Sequence, residues 1–321
     1  MKRILQSTIL LLITTSALHA QTSVQLNINH LLGENTFSTS ATGTNNFDNE
    51  FNVGRLQYYI SQISIIHDGG SETECEDLYL FVDANEEGQF MLGEYEVSEI
   101  EGIKFYIGVN TPENNDDPSQ WPEGHALAPR FPSMHWGWAA GYRFVAFEGK
   151  SGESFSQTYE IHALGNQNYF ACQLPVQATD ENGALVIDLN ADYAKALTNI
   201  NVSSGVITHG DYNEAITLLE NFVNEVFTNQ DGQTNVLSAQ EYELNKSFSV
   251  YPNPSNGLVN FQLIDVLNTN LYLNITDLSG REILKSSLTQ STTTLSLQKG
   301  LYMARIEGEN GVLALKRIVI Q

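Results

Sequence analysis

The chain has 321 residues, 41% of them hydrophobic and 17% charged, enough for about two domains with packed cores and unlike the composition of a disordered chain. Thirty-eight acids against 15 bases leave a formal net charge of −23. So few cations cannot neutralise a row of phosphates, which argues against nucleic acid and anionic membrane surfaces as partners.

In chain order, the first twenty residues read as a cleaved leader: Lys2 and Arg3 precede the apolar Ile9 to Ile13, and Ala17 to Ala20 closes the segment, giving a mature start at Gln21. Beyond it no apolar run reaches the roughly 18 residues of a membrane span. Ser23 to His30 alternates polar and apolar, as does Gln62 to Ile65, while Leu78 to Val82 is a continuous apolar run. Lys104 to Val109 and Tyr142 to Phe147 predict two further strands. Between them Thr111 to Pro132 is a long loop with five prolines, a length more often functional than idle. Ile216, Leu219, Phe222, Val223 and Val226 recur at helical spacing and predict one amphipathic helix over 212–227.

Charge divides the chain. Residues 21–246 hold seven bases and 33 acids, whereas residues 247–321 hold six bases and five acids. With the polar stretch from Thr228 to Asn235, this step sets a first domain at 21–229, a linker at 230–246 and a C-terminal module at 247–321. The module is all strand and turn, of a size that closes a small Ig-like β-sandwich.

No nucleophile elbow, phosphate loop, H-E-x-x-H or C-x-x-C occurs, so the histidines invite a metal reading. His125, Met134, His135, Trp136 and Trp138 cluster at the end of the proline-rich loop, and His162 could approach from another strand. Imidazole with thioether suits copper. Core or surface packing is the alternative for each. His67 precedes Asp68-Gly69-Gly70 and reads as a solvated turn residue, and His209 before Gly210 as another turn residue. Asp83 to Gly88 with Glu94 matches the spacing of a twelve-residue calcium loop, although its flanks read as strands and favour a solvated acidic hairpin. Cys75 and Cys172, in an exported chain, are expected to form a disulfide closing a long loop, a stabilisation of about 4 kcal/mol; two separate buried thiols are the alternative.

The segments "LNINH" at 26–30, "RLQYYISQI" at 55–63, "YLFVDA" at 79–84, "FYIGVN" at 105–110, "MHWGWAAGYRFVAFEG" at 134–149 and "IHALG" at 161–165 resemble the MbnP-like family of exported, β-rich copper-binding proteins. The resemblance implies a mainly β, sandwich-like first domain with one C-terminal helix. It also implies one copper held by His30 and His162, with His135 and then His125 as further candidates, and oxidation of Trp136, or alternatively Trp138, to kynurenine by a partner di-haem oxidase related to MauG. "YPNPSNG", "ITDLSGRE" and "KGLYMARI", followed by a basic-apolar final strand, resemble the C-terminal sorting domain of the type IX secretion system of Bacteroidetes. That implies engagement of the type IX machinery and a secreted or cell-surface location.

The expectation is therefore a non-enzymatic copper carrier or store. Its rival is a recognition surface in which Trp121, Trp136 and Trp138 form an aromatic platform for glycan or protein. An enzyme comes third, because three histidines with an open coordination position could activate water, yet no motif positions a general base.

Overall fold

The computed structural model describes residues 21–236, 248–263, 271–277, 281–288, 292–308 and 311–320. The leader reading, and most of the linker reading, lie outside these residues.

The first domain contains strands β1 (Thr22–Leu32), β2 (Asn35–Thr36), β3 (Thr42–Thr44), β4 (Glu50–His67), β5 (Ser71–Glu74), β6 (Leu80–Asp83), β7 (Gln89–Tyr95) and β8 (Ile100–Ile107). They are followed by β9 (Val145–Ser151), β10 (Gln157–Ala163), β11 (Phe170–Pro175), β12 (Thr179–Glu181), β13 (Ala184–Asp192), β14 (Ile207–Gly210) and β15 (Phe227–Thr228). Two sheets result. One runs β12-β13-β1-β2, with β7 on β1 and β15 on β13; the other runs β11-β8-β4-β9-β10-β14, with β3, β5 and β6 also on β4.

Period two explains the layering. In β1, Val24, Leu26 and Ile28 are buried while Gln25 and Asn27 are half-buried. The buried side meets Tyr58, Phe105, Ile161 and other residues of the larger sheet in one continuous core. β4 can pair with so many neighbours because it is long and irregular. Register shifts at Val53/Arg55 and Ser61/Ser64 bend it, as extra residues in a strand do.

The helix is shorter than the pattern predicts: α1 spans Glu214–Asn221 and continues as a π-helical turn, Phe222–Val226. Its buried face runs through Ala215, Leu218, Leu219 and Phe222, at i, i+3, i+4 and i+7, so Ile216 is left half-buried at the margin. Asn235 and Val236, read as linker, hydrogen-bond to β11 through Ala171 and Gln173 and belong to the first domain.

The cysteines are free, which overturns the expected disulfide. Cys172 on β11 pairs with Phe105 on β8, Phe105 lies opposite the bulge of β4, and Cys75 hydrogen-bonds to Ile63 on that strand. Three strand spacings, about 14 Å, separate the two backbones, whereas a disulfide needs Cα atoms within about 7 Å.

The C-terminal module contains β16 (Phe248–Tyr251), β17 (Leu258–Leu263), β18 (Tyr272–Asp277), β19 (Glu282–Ser287), β20 (Thr292–Ser296), β21 (Gly300–Gly308) and β22 (Gly311–Ile320). They form sheets β16-β17-β20 and β19-β18-β21-β22 around a second core that includes Phe248, Phe261, Leu273, Ile275 and Ile306.

Candidate metal centre

The larger sheet carries its apolar residues on the side facing β1 and a polar stripe on the other. Alternation puts Tyr58, Phe147 and Ile161 in the core, so their neighbours Gln57, Glu148 and His162 point outward. The proline-rich loop and the segment that follows it cover this outer face. Hydrogen bonds run the length of the stripe. Gln57 Nε2 donates to Asp83 Oδ2 (2.7 Å) and Arg55 Nε to Gln57 Oε1 (2.7 Å); Arg55 Nη1 donates to Glu148 Oε1 (2.8 Å). At the far end, His162 Nε2 meets the same Glu148 oxygen at 2.8 Å.

His162 is paired with His209 across the parallel β10–β14 ladder, and the two rings stack at 4.1 Å between centroids and 12° between planes. Trp136 meets the His209 ring edge to face at 5.5 Å. Arg143 closes the group: its Nε donates to His162 Nδ1 (3.2 Å), its Nη1 to Ser133 O (2.8 Å), and its guanidinium carbon lies 4.9 Å from the Trp136 ring centre. Because Nδ1 accepts, the proton of neutral His162 sits on Nε2 and is given to Glu148. That hydrogen bond, helped by Arg55, holds the Glu148 carboxyl below its ordinary pKa against the opposing effect of burial. Burial lowers the pKa of His209, and the nearby His162 and Arg143 lower it further, against Glu160, whose Oε2 lies 3.3 Å from His209 Nε2. That Nε2 is buried and lacks an aligned hydrogen-bond partner.

The tryptophan segment reaches this place through a tight turn. Trp136 N–H donates to Gly141 O, Gly137 and Gly141 take positive φ, and Asn114 packs where a Cβ at Gly141 would sit. Trp136 is 43% exposed, while Trp138 at the turn is 80% exposed.

The four histidines expected as ligands are not gathered into one shell. His30 follows Leu26 and Ile28 on the core side of β1, stacks on Tyr193 and bonds its hydroxyl through Nδ1 at 2.6 Å. Burial lowers its pKa, with Asp83 opposing. The register Asp83–Gln57–Ala146–His162 puts three strand spacings, about 14 Å, between the Asp83 end of the stripe and His162. His125 stacks on Trp121 at 4.3 Å and accepts from Leu127 N–H. His135 packs on Tyr142 and faces a separate chamber. Among the described residues no three His, Cys, Asp or Glu side chains stand ready as a metal cage.

Two turn readings fail. His67 is buried and bonded to Asp68 and Thr73. His209, passed over as a turn residue, is the partner of His162; its sign in the sequence was Val206-Ile207-Thr208, β-branched residues that make a short strand. Nor does the calcium loop form. Gln89 to Tyr95 is strand β7, so Glu94 lies about 17 Å along it from Gln89, paired with Ser23, while Asp83 binds Gln57 and Asn85. The three tryptophans form no common platform, since Trp121 is partly buried against Tyr79 and His125.

A family model described as MbnP matches residues 21–213, and one described as a secretion system C-terminal sorting domain matches residues 249–321. Among solved structures, MbnP from Methylosinus trichosporium superposes with a TM-score of 0.40 at 14% identity over 59% of this chain and 80% of its own. PorZ, a surface component of the type IX secretion system of Porphyromonas gingivalis, does so with a TM-score of 0.21 at 10% identity over 91% of this chain and 46% of its own. No curated protein matches the sequence.

Proposed function

The chain belongs to the MbnP family, and on that premise we propose that it is an exported copper-binding protein whose cargo ion is held by His162 and His209 beside Trp136. The observation that carries this reading is the stacked imidazole pair roofed by an indole. Neutral imidazole is a good ligand for copper, and burial keeps His209 neutral to lower pH than a free histidine. Glu148 fixes the tautomer of His162 and leaves Nδ1 with the lone pair, the outer-sphere arrangement common to histidine ligands. Arg143 now caps that lone pair, so copper must displace a guanidinium to reach it.

In this reading the protein carries or stores copper and performs no turnover. Trp136, which touches His209 and Arg143, is the tryptophan that a di-haem oxidase of the MauG type would convert to kynurenine, adding a carbonyl and an aryl amine next to the imidazoles. Trp138 points to solvent instead.

Titration of the exported protein with copper(I) against a chromophoric competitor tests the proposal. One ion should bind. His162→Ala and His209→Ala should each weaken it by more than the roughly 10–100-fold that loss of an outer-sphere partner costs. Mass spectrometry should find gain of one oxygen and loss of one carbon at Trp136 after exposure to the oxidase. If both variants bind like the wild type and only His30→Ala fails, the site lies at His30 on β1 and the assignment is wrong.

A further inference from the structure

A chamber of about 200 Å³ lies under the proline-rich loop, lined among others by Tyr59, Asp117, Arg130, Met134, His135 and Tyr142. It uses neither His162 nor His209. Three of its lining residues carry a buried atom without an aligned hydrogen-bond partner: Tyr59 Oη, Arg130 Nε and His135 Nε2. All three are donors. Tyr59 is completely buried, and burial, only partly offset by the facing Arg130, pushes its phenol up to about 12, so it keeps its proton. His135 Nδ1 accepts from Gly137 N–H at 3.3 Å, which leaves the proton of the neutral ring on Nε2. Arg130 is held from behind, with Nη2 donating to Ala126 O at 2.5 Å and its guanidinium carbon 3.5 Å from the Phe81 ring centre.

No carboxylate of the described residues forms an ion pair with Arg130. Asp117 is the acid at the chamber; it is exposed to solvent, its Oδ1 accepts from Ser119 N–H at 2.9 Å, and its charge acts on His135 from the rim. Buried donors with no acceptor are costly and ask for one. Pro118, Ala128, Pro129 and Met134 supply apolar wall, interrupted by Ser119 and Ser133.

We propose that this chamber binds a small aliphatic carboxylate, whose oxygens accept from Tyr59 Oη, Arg130 Nε and His135 Nε2 while its alkyl end lies against Met134 and Pro129. The volume suits an acid of about four to six heavy atoms, given roughly 30 Å³ per water-sized unit. A neutral molecule of the same shape lacks the charge that would pair with Arg130.

Calorimetric titration of sodium acetate into the full chain, in metal-free buffer at constant ionic strength, tests this, with acetamide as the neutral isostere. Acetate should bind one to one and raise the thermal midpoint, and acetamide should do neither. Tyr59→Phe keeps the ring and removes only the hydroxyl; it should weaken acetate by about tenfold or more, the cost of a hydrogen bond to a charged group. His135→Phe should do the same, and Arg130→Gln more. If Arg130→Gln does not fold, the other two variants decide. The proposal is overturned if acetate gives no heat up to about 50 mM, where a millimolar site saturates. It is equally overturned if acetamide matches acetate, or if Tyr59→Phe and His135→Phe bind as the wild type does.

Discussion

At His162 two hydrogen bonds decide what the ring can do. Nε2–H donates to the Glu148 carboxylate and Arg143 covers the Nδ1 lone pair, so a cation approaching that nitrogen meets another cation already in place. Arg143→Met, which keeps the length of the side chain but removes its charge, should therefore strengthen copper binding by about tenfold, the scale on which groups around a metal act. A competitor titration showing weaker binding would make Arg143 a helper of the site and not its plug. A second consequence concerns pH. Burial lowers the pKa of His30, His125, His135 and His209 below the usual 6.5. Below about 6.5 the unfolded chain then binds more protons than the folded one, so stability is complete above that pH and falls as pH drops toward the folded values. Glu148, with its pKa lowered, adds a loss at still lower pH, as pH falls through the carboxylate range. Urea midpoints measured at about pH 7.5 and 5.5 should fall with acid, and a flat profile across that window would contradict the burial of these rings.

At the scale of elements, the stripe depends on register. The shift at Val53/Arg55 brings Arg55 opposite Glu148, and the β10–β14 pairing brings His162 opposite His209 although 47 positions separate them in the chain. Gly149 is needed in β9 because a Cβ there would strike the Asn52 carbonyl and the Tyr159 hydroxyl, and with them the ladder that holds Glu148 in place. The same strand spacing keeps Cys75 and Cys172 apart, and burial raises the pKa of both thiols, which slows attack by them. The folded protein should resist a thiol reagent. Unfolded without reductant it should take up two labels per chain, and an intact mass without them would restore the disulfide.

For the whole molecule, charge and destination fit together. The first domain carries the acid excess and the copper reading, while the C-terminal sorting domain, nearly neutral, belongs to the secretion system that exports the chain to the surface or the medium. Protein recovered from the native cell surface or medium should lack residues 247–321 by intact-mass analysis. A sole species ending at Gln321 would show that the module is retained.

Alternation in β1, the turns and strand motifs of the module and the segments around Trp136 made the mainly β class and both families legible in the sequence, since period two and turn chemistry are local properties that survive in one dimension. The helix was legible too, but Ala215 and Leu218 take the buried face of its first turns and leave Ile216 at the margin, a choice made by the sheet it packs on. His209 and the polar stripe were invisible, and so was the distance between the cysteines. Each depends on which strands lie side by side and in what register, a choice made by burial of the whole core. Neighbouring residues carry no record of it. Only the tertiary structure set His162 against His209, kept His30 on the core side of β1 against Tyr193, and brought Tyr59, Arg130 and His135 around one chamber.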